Sequence, residues 1–383
     1  MLLSIRNIDL VYRCIYEHSF LNLELRNIEI EAIEYSLLMG TLKNYYLCQY
    51  QWQNLVNKKV DHKIEILLNL SIYRFYFMHN PLAYVIVNEA VSVAKKIDYG
   101  ASKLVNALLR KVFSQEIKFC NGDDEIKNAS INYSLPEWIY RLFVGQYGLE
   151  IANKISQHFL LPLDRCGWIY ANQTIKLLPL KDASKYPLYL PMDKNSFDVI
   201  ESLTIDNPLK ILDGCAAPGT KTMLMALKFK ESLIDAIEIN ASRSLLIKNS
   251  IRRFGLEQRI NVYNQDFLNF HTLELYDLVF LDVPCSGLGV LAHKPDLKFH
   301  IKPSDLDDLE QLAFNILCHG AKFVRIGGYL VLATCTLNKK ENERQVIKFL
   351  KSNPNFELVR EKCHLGYDNN GGGFYYGQLK RIS

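Results

Sequence analysis

Two thiols and a set of carboxylates stand where apolar runs break into loops. Cys285 lies in Asp-Val-Pro-Cys-Ser-Gly, just after the run Leu-Val-Phe-Leu that ends at Asp282. Cys335 lies in Ala-Thr-Cys-Thr at the end of another apolar run, residues 329–334. Ligand residues of open α/β sheets gather at such carboxyl ends of strands. Two cysteines brought to one crevice there suggest thiol chemistry, because a thiolate is a strong nucleophile near neutral pH. The competing reading is a pair of small core residues, the common fate of reduced cysteines. That reading is kept for Cys14, Cys48, Cys120, Cys166, Cys318 and Cys363. The nine cysteines include no Cys-x-x-Cys pair and the nine histidines show no ligand spacing, so no structural metal is expected.

Upstream, residues 209–222 read Leu-Lys-Ile-Leu-Asp-Gly-Cys-Ala-Ala-Pro-Gly-Thr-Lys-Thr, a strand, a tight loop of small residues and the start of a helix. Gly214, Ala216, Ala217 and Gly219 let a ligand approach the backbone, and the helix start offers unpaired N–H groups. The glycine spacing is neither Gly-x-Gly-x-x-Gly nor that of a phosphate-binding P-loop, which argues against a dinucleotide or triphosphate. Glu238 falls in the second strand, residues 233–239, where an acidic side chain can accept bonds from ribose hydroxyls. Asp266 follows the third strand, residues 260–263, where an adenine amino group can be read. With Asp213 and Asp282, these positions after successive strands outline one crevice.

The elements that must hold these residues are strands alternating with helices. Helices are expected over 242–254, 304–324 and 342–350, and two last strands from Phe356 onward. Such repeats imply a mainly parallel sheet with right-handed crossovers. Residues 1–113 instead show apolar positions three and four apart, the pattern of a helical bundle. The polar stretch 114–134 reads as a linker, and Ser134 as the N-cap of a helix that Gly148 ends. Residues 162–208 read as a small connecting subdomain. The expected division is 1–125, 126–205 and 206–383, in keeping with two or three domains for 383 residues. Composition is that of an ordinary globular chain, with 49% hydrophobic and 22% charged residues. No apolar run reaches the ~18 residues needed to span a bilayer, and the first residues carry charges too early for a secretory signal. A cytoplasmic, reduced protein is expected, with no membrane partner. A net charge of +4 permits a nucleic-acid partner without requiring one.

Val-Asn-Glu-Ala-Val at 87–91 and Val-Asn-Ala-Leu-Leu-Arg-Lys at 105–111 resemble the NusB-type RNA-binding helical domain. That resemblance implies a role in holding RNA, with Lys95, Lys96, Lys103, Arg110 and Lys111 as phosphate contacts or as a solvated basic face. Three further motifs, in order, resemble the S-adenosylmethionine-dependent RNA cytosine-C5 methyltransferases of the Sun/Fmu type. They are Asp-Gly-Cys-Ala-Ala-Pro-Gly-Thr-Lys-Thr, Asp-Val-Pro-Cys-Ser-Gly-Leu-Gly-Val with Lys-Pro-Asp-Leu-Lys after it, and Ala-Thr-Cys-Thr-Leu with Glu341-Asn342-Glu343.

The resemblance implies an α/β fold: a Rossmann-like methyltransferase domain behind an all-α NusB-like domain. It implies S-adenosylmethionine as cofactor, held by Cys215, Ala216, Ala217, Pro218, Gly219, Thr220, Lys221, Glu238, Asp266 and Asp282. It implies Cys335 as the nucleophile that adds to cytosine C6, Cys285 as the residue that helps complete the cycle, and Asp282 as a partner for N3 and the exocyclic amine. Lys221 and Lys298 are candidates for electrostatic support, and Lys298 equally for a phosphate contact or a surface lysine. The implied partner is small-subunit ribosomal RNA, free or partly assembled, met by a monomer. Transfer RNA as substrate, or an inactive RNA-binding assembly factor, are the alternatives. Thr220 stands in place of a usual glycine, Glu238 of an aspartate and Phe299 of a tryptophan, and Tyr170-Ala171-Asn172 replaces an Arg-x-Asn.

Overall fold

In a computed structural model of the chain, the described residues are 2–26, 28–79, 82–205 and 207–383. Contacts divide them into two units, Met1–Pro162 with Leu291–Ile301 and Leu163–Val290 with Lys302–Ser383. The expected boundary at Asp206 lies outside the described residues.

The first unit is helical: α1 (Ile5–Tyr16), α2 (Leu21–Glu24), α3 (Ala32–Lys43), α4 (Tyr45–Gln53), α5 (His62–Phe77), α6 (Ala83–Ile97), α7 (Ala101–Phe113), α8 (Glu125–Asn132), α9 (Glu137–Tyr147) and α10 (Leu149–Leu160). Short polar side chains start several of them. Ser4 caps α1 through Asn7 N–H, Asp61 caps α5, and Asp124 caps α8 through Lys127 N–H. Ile64, Leu67, Leu68, Val87, Val105 and Leu109 close the core of the bundle. The stretch read as a linker carries α8, and residues up to Pro162 group with the bundle. Ser134 is not the cap of α9. It is buried at φ +54°, its Oγ accepts a bond from Tyr46 N–H, and Pro136 occupies the N-cap. Gly148, at φ +80°, does end that helix.

The second unit opens with β1 (Cys166–Ala171), β2 (Thr174–Pro179), α11 (Leu180–Ala183), β3 (Tyr189–Pro191) and α12 (Lys194–Glu201). Its first three strands form a small antiparallel sheet in the order β2-β1-β3. Asn172 and Gln173, both at positive φ, make the tight turn between β1 and β2, so Tyr170-Ala171-Asn172 is a hairpin corner. Then come β4 (Lys210–Asp213), α13 (Thr220–Lys228), β5 (Leu233–Ile237), α14 (Ala241–Phe254), β6 (Ile260–Tyr263) and β7 (Tyr276–Asp282). The chain passes to the first unit as α15 (Leu297–His300) and returns as α16 (Pro303–Ala321), β8 (Val324–Thr334), α17 (Glu343–Ser352), β9 (Phe356–His364) and β10 (Phe374–Arg381).

The seven-stranded order is β6-β5-β4-β7-β8-β10-β9, with β4 to β8 parallel and β10 antiparallel to both neighbours. Ile211, Leu212 and Leu278 to Leu281 are fully buried, as befits central strands covered on both faces. One face packs Met223, Leu224 and Ile247, and the other packs Ala313, Leu317 and Phe349. The helix expected over 304–324 ends at Ala321. Val324 instead pairs with Tyr276, and Phe323 carbonyl accepts Tyr276 N–H, so this part of the chain is recruited into the sheet. Chain order reverses about β4, whose neighbours are β5 and β7, and a ligand crevice is expected beyond its carboxyl end. Among the described residues no helix is long and apolar enough to cross a membrane, and no group of three or more potential ligands suits a metal ion.

Candidate active site

The loop after β4 is tied down by its own backbone and by Glu238. Gly219 N–H donates to Ala216 O at 2.7 Å, and Ala216 N–H donates to Ile237 O at 3.0 Å. Gly219 sits at φ +94° as the N-cap of α13, and a Cβ there would lie 3.2 Å from Ile247 Cγ1. Thr220 is the first residue of the helix itself, so the demand for glycine falls on 219 and not on 220. Glu238, 4% exposed, accepts Ala217 N–H at 3.3 Å and Asn240 N–H at 2.8 Å. Arg243 donates to Ala217 O at 3.2 Å and lies 3.7 Å from Glu238 Oε2. Asp266 caps the short turn after β6 by accepting Leu268 N–H at 3.0 Å. Burial pushes the Asp213 carboxyl up to about 7, against a 2.6 Å bond from Thr222 Oγ1.

Beyond β7, Lys221 Nζ meets Asp282 Oδ2 at 2.7 Å. Burial works against the lysine charge, but Asp282 outweighs it and holds the ammonium above its ordinary range. Cys285 Sγ and Cys335 Sγ stand 3.5 Å apart, although 50 positions separate them in the chain. The bond to Cys335, and then burial, push the Cys285 thiol well above its ordinary value.

A buried polar cluster holds the two thiol loops together. Glu341 accepts Ser286 N–H at 2.7 Å, Ser286 Oγ–H at 2.6 Å and Asn338 Nδ2–H at 2.9 Å. Ser286 and Thr336 hydroxyls pair at 2.7 Å, and Asn342 Nδ2 donates to Thr336 O at 2.9 Å. Burial raises the Glu341 carboxyl, and these donors work the other way. In the sequence, Ser286, Thr336, Glu341 and Asn342 stand within the motifs with no task assigned to them, and Asn338 lies outside them. The polar run flanking each thiol was the available signal.

The sequence-selected residues therefore group as Cys285 with Cys335, Asp282 with Lys221, and Glu238 with Ala217. Lys298 stands apart. It is 4% exposed inside the first unit, where Nζ donates to Ser134 O at 2.6 Å and Lys43 O at 3.0 Å. It is neither a surface lysine nor placed to meet a phosphate. Phe299 packs edge-on against Tyr45 and Tyr46 in the same unit.

A NusB-type helical domain ahead of a Rossmann-like sheet, with polar residues at its strand ends, defines an RNA methyltransferase of two domains. Residues 9–114 match the NusB family and residues 201–377 match the 16S rRNA methyltransferase RsmB/F family. A probable ribosomal RNA small subunit methyltransferase B of Bacillus subtilis is 28% identical over 361 residues, 84% of this chain and 80% of that one. The ribosomal RNA small subunit methyltransferase B of Shewanella oneidensis is 28% identical over 363 residues, 84% and 83% of the two chains. The crystal structure of a protein titled PH0851 matches 99% of this chain and 98% of its own at a TM-score of 0.78 and 18% identity, a likeness of fold.

Proposed function

We propose that the protein methylates C5 of a cytosine in small-subunit ribosomal RNA, with S-adenosylmethionine as methyl donor. The single observation that carries this reading is the 3.5 Å approach of two thiols next to the strand end that bears Asp282. The curated relatives, named for small-subunit ribosomal RNA, support the substrate. When bound, S-adenosylmethionine supplies an electrophilic methyl group. The donor set after β4, β5 and β6 suits such a nucleoside: the backbone N–H groups at the start of α13, the Glu238 carboxylate for ribose hydroxyls and Asp266 for an amino group. Glu238 keeps acceptor capacity beyond its two backbone bonds. Cys215, Ala216, Ala217, Pro218, Gly219, Thr220 and Lys221 form the floor of that site.

Cytosine C5 is a weak nucleophile. A Cys335 thiolate adding to C6 turns the ring into an enamine-like nucleophile at C5. The proton given up by the Cys335 thiol is taken up at N3, so Asp282, braced by Lys221, accepts hydrogen bonds from the exocyclic amine and from N3–H of the activated ring. After C5 has gained its methyl group, a Cys285 thiolate takes the C5 proton, the C5–C6 double bond re-forms, and the Cys335–C6 bond breaks to return the Cys335 thiolate. The surroundings that raise the Cys285 pKa make its thiolate the stronger base. The base must leave its stack to reach this site, which favours a loop or single strand. Bisulfite sequencing of cellular RNA with and without the gene tests the reading. One protected small-subunit cytosine should disappear with the gene; an unchanged pattern across that RNA overturns it.

A further inference from the structure

The loop between β9 and β10 is bonded to the thiol-bearing segments backbone to backbone. Gly373 N–H donates to Gly289 O at 2.6 Å, and Gly289 N–H donates to Cys335 O at 3.0 Å. There is no room for side chains between them. A Cβ on Gly289 would lie 2.3 Å from Gly373 O and 2.8 Å from Cys335 O, and one on Gly373 would lie 2.8 Å from Gly289 Cα. The Cys285 loop, the Cys335 backbone and the β9–β10 loop are thus stacked at contact distance.

Two side chains at the start of α12 hold the outer layer of that stack. Asp193 caps α12 through Asn195 N–H at 2.8 Å, and its other oxygen accepts Gly372 N–H at 2.8 Å. Asn195 is 1% exposed. Its Nδ2 donates to Gly372 O at 2.7 Å and to Asn369 Oδ1 at 3.1 Å, while its Oδ1 accepts Asn369 Nδ2 at 2.5 Å. The fit is close: a Cβ on Gly371 would lie 2.6 Å from Asn195 Nδ2. Nearly every polar valence of this amide is used on a loop more than 170 residues away in the chain.

We propose that Asn195 is a positioning residue for methyl transfer: by clamping Asn369 and Gly372 it seats the β9–β10 loop on Gly289, and so sets where the Cys285 and Cys335 thiols stand. This rests on the reading of those thiols given above. An Asn195→Asp substitution keeps the shape but removes the donor, leaving two acceptors face to face at Gly372 O.

The test uses the full chain, tritiated S-adenosylmethionine and small-subunit RNA from cells lacking the gene. For Asn195→Asp, kcat is expected to fall about 10- to 100-fold, with cofactor affinity by calorimetry kept within about twofold. Gly371→Ala, which presses on the same amide from the loop side, should show the same split and stands in if Asn195→Asp does not fold. An unchanged kcat overturns the proposal. So does a loss of kcat matched by equal losses of cofactor affinity and thermal stability, the mark of a merely structural residue. A parallel Cys335→Ala separates the two failures, since full activity there sinks the thiol reading itself.

Discussion

In the proposed mechanism Cys285 and Cys335 divide the labour. The bond to its neighbour, and then burial, push the Cys285 thiol well above its ordinary value, so its thiolate is a strong base for the C5 proton. Cys335, in that mechanism, is the thiol that attacks. Cys335→Ala should lower methyl incorporation by about 10³-fold or more, since the loss of a covalent nucleophile removes a whole route. A radiometric assay with tritiated donor checks this. Cys285→Ala should leave attack possible and release impaired. The expected outcome is a protein–RNA adduct that survives a denaturing gel, and free RNA alone would contradict the release role. Both cysteines were legible in the sequence as residues at strand ends. A shared crevice follows from those strand ends; the 3.5 Å approach does not, because it depends on how the two loops pack.

At the scale of elements, the loop after β4 and the cluster around Glu341 do the positioning. Gly219 adopts a left-handed conformation with Ile247 packed over it. Gly219→Ala should cost roughly 1 kcal/mol or more in stability and weaken S-adenosylmethionine binding about tenfold by calorimetry, because the loop must shift to relieve strain. Glu341 is fully buried and takes three bonds from Ser286 and Asn338. Glu341→Ala should destabilise the chain by about 2–3 kcal/mol in denaturant unfolding, since three buried donors lose their bond to the carboxylate. Strand–loop–helix order over 209–222 was readable because periodicity changes from apolar run to helical spacing. The end of α16 was misread, since an apolar Phe323-Val324 suits a helix face and a sheet edge equally, and pairing with β7 decided between them.

For the whole molecule, Lys298 couples the stability of the first unit to pH. Burial lowers this lysine from 10.5 to about 7. Below pH 7 folded and unfolded chains both hold the proton, and the cost of burying the charge is felt in full. Between about 7 and 10.5 only the unfolded chain keeps it, so stability gains as pH rises through that window. Lys298→Met removes the titration. Unfolding free energies of wild type and variant should therefore diverge between pH 7 and 9, with a relative slope approaching about 1.4 kcal/mol per pH unit. Parallel curves would show that the buried amine does not titrate there.

The amino-acid order alone determined that a helical domain precedes an alternating strand–helix domain, and that the reactive and acidic residues fall at strand ends. Those are consequences of periodicity and of short-range backbone rules, which a local stretch of chain carries in full. Tertiary structure alone decided that Lys298 is buried on carbonyls rather than exposed, that the β9–β10 loop lies on Gly289, and that two thiols share one point. Each of these depends on close packing between distant segments, and such packing is fixed by shape and by the pairing of buried polar groups, for which neighbours in sequence carry no signal.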